Sequence, residues 1–251
     1  MIPREKPLLE ISVDSPASAA AAERGGARRI ELCANLLQGG VTPAAGMIGV
    51  VRAAVVLPLH VMIRPRGGDF SYTSEEFDVM KRDIAIAKQL GAEGVVLGVL
   101  QPGGLLDIAH TKELIELARP MSVTFHRAFD FVPDLSRALE DAILAGADRI
   151  LTSGGAAKAE DALPMVAALV KQAGSRIGVV VCGGVREHNV KHILQASQAR
   201  EFHVGQSGVA TVVSAGVAPP IRNIRLGAQD ESFPPCQIVS AEKVQTLLAA
   251  F

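Results

Sequence analysis

Short apolar runs, rich in β-branched residues, alternate along the chain with longer Ala-rich segments whose apolar positions recur at helical spacing. The apolar runs predict eight strands, at residues 8–13, 29–33, 60–64, 94–99, 122–126, 149–152, 177–182 and 201–204. The amphipathic segments predict helices at 16–24, 42–55, 74–90, 107–118, 133–144, 159–173 and 187–196. Strands that alternate with helices pair in parallel through right-handed crossovers, so this order predicts an α/β protein.

Eight strand–helix units within 251 residues predict a closed TIM (β/α)8 barrel, with residues 1–251 forming a single domain. The alternative is an open, doubly wound sheet. Against it, no Gly-x-Gly-x-x-Gly turn follows the first predicted strand. Residues 209–235 are richer in Pro, Gly and Ser, and we interpret them as a long loop before a closing helix at 240–250.

The composition narrows the possible partners and the location. The chain has 25 Lys and Arg against 26 Asp and Glu, which gives no electrostatic attraction to nucleic acid or to an anionic membrane. No apolar run is long enough to span a bilayer, and the charged segment MIPREKPLLE does not resemble a signal peptide. A cytoplasmic location is therefore expected. The three cysteines are widely spaced, which argues against a disulfide framework or a zinc finger.

Polar residues at the C-terminal ends of TIM-barrel strands form the working site. Glu10 and Ser12 lie two positions apart in strand 1, and Glu31 and Cys33 repeat that spacing in strand 2. Spacing of two places each pair on one side of its strand, so two carboxylates and a thiol should lie close together. Glu10 and Glu31 are candidate catalytic residues. The alternative is that they fill a polar barrel interior and pair with an arginine from another strand.

Strand 3 runs into a cationic loop in which Arg64 and Arg66 flank a proline and precede two glycines. Either arginine could bind a carboxylate or a phosphate. The alternative is that they neutralise Glu10 and Glu31 across the barrel. The two roles are compatible if Arg64 does the second and Arg66 the first.

The end of strand 5 supplies a further group of polar residues. His126 is a candidate general acid or base, because the ordinary pKa of histidine lies near neutrality. Arg127 should point to the opposite side from His126, and it joins the candidate anion-binding residues. Asp130 is a candidate catalytic residue that could orient His126, or else cap the next helix.

Strands 6, 7 and 8 end in glycine-rich loops whose backbone N–H groups could hold an anion. The loops after the last strands of TIM barrels often bind phosphate, although paired glycines also serve simply as tight turns. The candidate anion-binding residues in these loops are Ser153, Gly154, Gly183, Gly184 and Gly205.

So many ionisable groups at one barrel mouth favour an enzyme of isomerase or lyase type that acts on a small phosphorylated or carboxylated metabolite. No lysine lies at a predicted strand end, which disfavours an aldolase that forms a Schiff base. The residues do not indicate an organic cofactor.

Several of these strand-end stretches also resemble the CutC copper-homeostasis family. The resemblance covers about residues 8–205, with a weaker echo at Arg222 and Asn223. Its motifs are IELC (30–33), GGVTP (39–43), MIRPRGGDF (62–70), TFHRAFD (124–130) and ILTSG (150–154). It implies a TIM barrel, a cytoplasmic location, copper(I) binding and a homo-oligomer, either a dimer or a tetramer.

The resemblance also implies which residues bind the metal. By position, Cys33 is the primary copper ligand, and a soft thiolate suits Cu(I). Cys182 would supply a second sulfur across the barrel mouth, and His203 and His126 are the other candidate ligands. Copper homeostasis is therefore the first functional hypothesis, and the metabolite enzyme is the alternative.

Overall fold

A computed structural model describes residues 6–212 and 237–251. Eight parallel strands in these ranges close into a barrel in chain order, with the last strand paired to the first. They are β1 (Leu8–Val13), β2 (Arg29–Leu32), β3 (Leu59–Met62), β4 (Gly94–Leu97), β5 (Ser122–Phe125), β6 (Arg149–Thr152), β7 (Gly178–Val181) and β8 (Glu201–Val204). The predicted TIM barrel is confirmed.

Helices follow the strands and cover the barrel. They are α1 (Pro16–Arg24), α2 (Ala45–Ala54), α3 (Ser74–Gln89), α4 (Ile108–Ala118), α5 (Leu135–Ala145), α6 (Leu163–Ala173), α7 (Val190–Ser197) and α8 (Ala241–Ala249). Local signals explain several starts. Ser15 caps α1 ahead of Pro16, and Thr73 and Glu76 form a capping box at α3. No helix within residues 6–212 or 237–251 has both the length and the apolar character needed to cross a membrane.

Three predicted helices begin at least three residues later than expected, and one of them, predicted at 187–196, becomes α7 from Val190. The prediction at 42–55 becomes α2 only from Ala45, because the Thr42 hydroxyl accepts the Arg64 N–H at 2.9 Å instead of capping a helix. The prediction at 159–173 begins with a separate 3-10 turn at Ala159–Ala162. Helix α6 then starts at Leu163, next to Pro164, a residue suited to a first helical turn.

A small second sheet lies beyond the barrel. β9 (Ala210–Val212) pairs antiparallel with β10 (Gln237–Val239), just before α8. β9 occupies the start of the segment predicted to be a loop, and its Thr211 and Val212 are β-branched residues that favour a strand. Residues 213–236, which include Arg222, Asn223 and Cys236, lie outside the described residues.

Charged side chains form a ladder through the barrel interior. Arg29 pairs with both Glu10 and Glu201, and Arg149 pairs with Glu201 at 3.0 Å. His60 lies beside this ladder, and burial lowers its pKa to about 4, so it is neutral at physiological pH. We call Glu10, Arg29, Glu201 and Arg149 the interior ladder. The upper end of the interior ladder is Glu10, the member nearest the barrel mouth, and it contacts His203 there.

Candidate functional site

A cavity of about 2130 Å³ opens at the C-terminal ends of the barrel strands. It is the expected location of a site in this fold. Six of the residues predicted for the site line it: Glu31, Arg64, His126, Arg127, His203 and Gly205. The others do not line it: Glu10, Cys33, Arg66, Asp130, Ser153, Gly154, Cys182, Gly183 and Gly184. Five of these nonetheless contact the cavity wall: Glu10 binds His203, Cys33 binds Glu31, Asp130 and Ser153 bind Arg127, and Arg66 pairs with Asp69.

His203 lies between two carboxylates at the upper end of the interior ladder. Its Nδ1 is 2.6 Å from a Glu10 oxygen and its Nε2 is 3.8 Å from Glu31. The strand register explains this arrangement, because β1 places Glu10 opposite His203 on β8 and opposite Arg29 on β2. Glu10 is thus paired with an arginine from a neighbouring strand, as in the alternative interpretation. One Glu31 oxygen has no hydrogen-bond partner among the described residues.

Neighbouring charges decide how these three buried groups hold protons. Burial opposes ionisation of Glu10, but Arg29 and His203 outweigh it and hold the pKa of that carboxyl well below its ordinary value. Burial raises the pKa of Glu31, and the charge on Glu10 adds to this effect. Burial of His203 disfavours its charged form, but the two carboxylates outweigh it and raise the pKa above 6.5. Glu31 is therefore the carboxyl here that takes up a proton most readily.

Cys33 lies beside Glu31, as the spacing within strand 2 predicts. Its Sγ donates to a Glu31 oxygen at 3.4 Å, and Ser12 Oγ lies 3.9 Å from the same sulfur. Burial, together with the charge on Glu31, raises the pKa of the Cys33 thiol well above its ordinary value. The thiol is therefore protonated at neutral pH in the absence of a metal.

Met62, a thioether residue, packs in the same buried cluster as Cys33. The two side chains pack in one buried apolar cluster with Val96, and Met62 also lines the cavity. A Cβ placed on Gly40 would lie 3.0 Å from Cys33 Sγ and 3.6 Å from Met62 Cε, so both side chains approach one point of the chain. We did not predict Met62 as a site residue. The available signal was its position in β3 two residues before Arg64, on the same side of the chain.

Arg64 binds backbone rather than carboxylates. Its Nη1 donates to the carbonyl oxygens of Gln38 and Gly40 at 2.9 and 3.0 Å, and its Nη2 donates to Gly68 O at 2.7 Å. No carboxylate oxygen of residues 6–212 or 237–251 lies within 4.0 Å of its guanidinium. The suggestion that Arg64 neutralises Glu10 and Glu31 is therefore wrong.

Arg66 does not line the cavity. Its guanidinium pairs with Glu76 at 2.5 Å and with Asp69 at 2.9 Å. Glu76 also completes the capping box of α3, so Arg66 ties the loop to the start of that helix. An incoming anion would have to compete with these carboxylates, and we do not include Arg66 in the site proposed below.

His126 is buried at the cavity wall in a neutral form. Its Nδ1 accepts the Ala128 N–H at 3.2 Å. Burial, reinforced by the charge of Arg64, lowers the pKa of His126 to about 3. The expectation of a pKa near neutrality is therefore wrong, and a role as general base at neutral pH loses its main argument. Gly98 gives the ring its space, since a Cβ there would lie 2.5 Å from His126 Nδ1.

Asp130 organises the loop that follows β6. Its carboxylate accepts hydrogen bonds from the Thr152 hydroxyl at 2.6 Å and from the Ser153 and Gly155 N–H groups at 3.0 and 3.1 Å. Arg127 pairs with it at 2.8 Å. Asp130 makes no hydrogen bond to His126, and Asp134 rather than Asp130 caps α5. Arg127 nevertheless lines the cavity together with His126, although opposite sides were expected.

The glycine-rich loop after β6 has donors that are already engaged. Ser153 N–H is bound to Asp130, and Gly154 N–H donates to Thr152 Oγ1 at 2.9 Å. Cys182 is buried against Leu151 and Val180 in a different cluster from Cys33. The structure therefore does not bring Cys182 to Cys33.

Three of the mouth residues also form the one group of candidate metal ligands found among the described residues. Ligand atoms of Glu10, Glu31 and His203 all lie within 4.8 Å of one another. Oxygen and imidazole donors suit a hard or borderline cation, whereas Cu(I) prefers sulfur. The Glu10 carboxylate is already neutralised by Arg29, so Glu31, His203 and the adjacent sulfurs are the donors that remain available.

Comparisons with known sequences and with solved structures identify the same family. The model of the CutC family matches residues 7–208. The chain is 50% identical over 196 residues to a mouse protein named copper homeostasis protein cutC homolog, covering 78% of this chain and 72% of the mouse protein. It is 46% identical to a CutC family protein from Xanthomonas axonopodis pv. citri, covering 86% and 90% of the two chains. A crystal structure of CutC from Streptococcus agalactiae superposes with a TM-score of 0.76 at 30% identity, covering 79% of this chain and 98% of that one.

Proposed function

The chain belongs to the CutC family of copper homeostasis proteins, and from this premise we propose that it binds copper(I) as cargo at Cys33, Met62 and His203. The observation that carries the proposal is the packing of a buried thiol against a thioether in the wall of the barrel mouth. Thiolate, thioether and imidazole are donors that suit Cu(I). The proposal replaces Cys182 by Met62 as the second sulfur, because Cys182 packs in a separate cluster.

The contacts of these side chains suit metal exchange. Binding requires the Cys33 thiol to lose its proton, and the Glu31 carboxylate that accepts its hydrogen bond lies 3.4 Å away. The Nδ1 of His203 is held by Glu10, which leaves Nε2 as the nitrogen directed toward Glu31 and the cavity. A histidine oriented in this way by a carboxylate is a common feature of metal sites.

The Cys33→Ser variant is expected to bind copper(I) at least about 100-fold more weakly, because it loses its only thiolate donor. Met62→Leu should lose about tenfold, since a thioether is the weaker ligand. Titration of the reduced protein against a competing copper(I) chelator measures both effects. Cys182→Ser is the matched control and should keep the original affinity. An unchanged affinity in Cys33→Ser would overturn the assignment.

We also propose a cytoplasmic location and a homo-oligomeric assembly. Cys33 and Cys182 both carry free thiols in the structure, in keeping with a reducing compartment. The proposal of a homo-oligomeric assembly rests on the resemblance to the family. Sedimentation of the purified protein would distinguish a dimer or a tetramer from a monomer.

A second candidate function is an enzyme of isomerase or lyase type that acts on a small phosphorylated or carboxylated metabolite. Two observations favour it. The cavity of about 2130 Å³ is far larger than one ion needs, and Arg64 in its wall has no carboxylate within 4.0 Å among the described residues. Glu31 and His203 face the same space and could move a proton on a bound molecule.

Screening metabolites by thermal shift tests this second function. A ligand that binds only the folded state stabilises it by about 2.7 kcal/mol at 100 times its dissociation constant, which raises the melting temperature by several degrees. We expect at least one phosphorylated or carboxylated metabolite to produce such a shift. A panel of both classes that leaves the melting temperature unchanged would remove the enzyme from consideration.

A further inference from the structure

Arg64 is a buried cation that has only neutral partners. Its side chain is 5% exposed, and its two terminal nitrogens bind three backbone carbonyl groups. Its Nε is buried and has no hydrogen-bond partner within residues 6–212 and 237–251. A buried charge without a counter-charge is unfavourable, so an anion that reaches this nitrogen would gain both a charge interaction and a hydrogen bond.

His126 supplies a second free donor in the same wall. Because its Nδ1 accepts the Ala128 N–H, the neutral ring carries its proton on Nε2. That Nε2 is buried and has no hydrogen-bond partner in the part of the chain that the structure describes. His126 therefore acts as a hydrogen-bond donor to whatever binds there.

Phe70 joins the two donors. Its ring centroid lies 4.9 Å from Arg64 Cζ and 5.0 Å from the His126 ring. All three side chains line the cavity. Phe131 packs on the outer side of Phe70 at 5.4 Å and is 68% exposed. Phe70 thus packs against both donor-bearing side chains in the cavity wall.

The number of free N–H donors and the charge in this part of the wall suit one class of anion. There are two free N–H groups, a single positive charge and an apolar ring. A carboxylate is a planar monoanion with two oxygens, and it can accept one hydrogen bond from each donor. A phosphate at neutral pH carries more charge and more acceptor oxygens than this wall can satisfy. In the loop after β6, one of those expected to bind phosphate, the N–H groups of Ser153 and Gly154 already make internal hydrogen bonds.

We propose that Arg64 Nε and His126 Nε2 form a receptor for the carboxylate group of a small molecule. The inference rests on the proposed metabolite-binding function and narrows its substrate class from anions in general to carboxylates. It also assigns His126 to ligand binding rather than to proton transfer. With its carboxylate at Arg64 and His126, the remainder of the ligand lies in the cavity that Glu31 and His203 also line.

The test uses acetate and pyruvate as carboxylate probes and inorganic phosphate as the comparison. Binding is followed by NMR through the side-chain Nε2–H signal of His126. We expect both carboxylates to shift this signal at about millimolar concentrations, as suits such small ligands. Phosphate should bind about tenfold more weakly or not at all.

Variants separate the donor role from a merely structural one. His126→Gln keeps an N–H near the position of Nε2 and should bind the probes within about threefold of the original protein, whereas His126→Leu should lose about tenfold or more. Binding to the variants is measured by calorimetry, since the reporting ring is absent. Arg64→Lys keeps the charge, loses the Nε donor and should also lose about tenfold. Arg66→Ala is the matched control and should bind normally, because Arg66 does not line the cavity and its guanidinium is paired with Glu76.

Each outcome decides a different question. Equal binding of phosphate, or normal affinity in His126→Leu, overturns the carboxylate receptor and leaves a phosphorylated substrate open. Failure of all three probes to bind, together with a thermal-shift panel without hits, removes the metabolite function as well. The two His126 variants keep the test decisive if Arg64→Lys does not fold.

Discussion

Glu10→Gln is expected to lower the free energy of unfolding by about 3–5 kcal/mol, because it removes one charge from a buried network and leaves the others uncompensated. Glu10 is 1% exposed and binds Arg29 on one side and His203 on the other. Urea denaturation at about pH 7 measures the change. Glu140→Gln is a matched control, since Glu140 pairs with Arg176 in an exposed position and should cost at most about 1 kcal/mol.

The pH dependence of this effect has a definite sign. The folded protein lowers the pKa of Glu10 below its ordinary value of 4.5, so its stabilising contribution is fully present above that pH. As the pH falls below 4.5, the unfolded chain takes up a proton first and the contribution is lost. The difference between the original protein and Glu10→Gln should therefore shrink from about pH 7 to about pH 3.5. A difference that stays constant would show that the ionised carboxylate is not its source.

A double variant without charges shows whether stability is lost because one partner of the ion pair is missing or because the whole pair is missing. Replacing Glu10 by Leu and Arg29 by Met together removes both partners at once. Buried ion pairs replaced by apolar residues of similar size often retain or gain stability. The double variant is therefore expected to be more stable than Glu10→Gln, with Glu201 still paired to Arg149 at 3.0 Å.

The barrel could be predicted because the spacing of apolar residues along the sequence reflects which side chains are buried. Strands buried on both faces appear as short β-branched runs, and the structure confirms all eight predicted strands in chain order. Spacing of two also placed Glu31 and Cys33 side by side, since alternation along a strand is a local property. Arg29 carries the same signal, two positions before Glu31, although we did not use it.

The partners of the loop residues were not predictable from spacing. Arg64 lies just beyond β3, and its partners are carbonyl groups of two loops, positioned by backbone turns that residue types alone do not define. The pKa of His126 depends on burial and on Arg64, which belongs to a different strand end. The positions of the strand residues could thus be predicted from local sequence pattern. The protonation states and the loop contacts could not, because they depend on residues from several strand ends.

Asp130→Ala is expected to cost about 3–5 kcal/mol of stability and to leave copper(I) affinity and carboxylate binding within about threefold. Its buried carboxylate accepts hydrogen bonds from Thr152, Ser153 and Gly155 and pairs with Arg127, and its removal leaves the buried donors of Thr152 and Ser153 without this acceptor. Urea denaturation measures the stability, and the copper titration and calorimetry measure the two binding reactions.

A neighbouring aspartate provides the control for Asp130→Ala. Asp134 caps α5 through the Arg137 N–H at 3.0 Å, and Asp134→Ala should cost about 1 kcal/mol, as for an ordinary helix cap. The larger cost at Asp130 follows from the number of donors that converge on one buried carboxylate. Asp130 thereby occupies the amide groups that an external phosphate would need after β6, which links the stability of this loop to the choice of ligand at the mouth. An Asp130→Ala protein that is nearly as stable as Asp134→Ala but no longer binds its ligands would contradict this account and return Asp130 to the catalytic candidates.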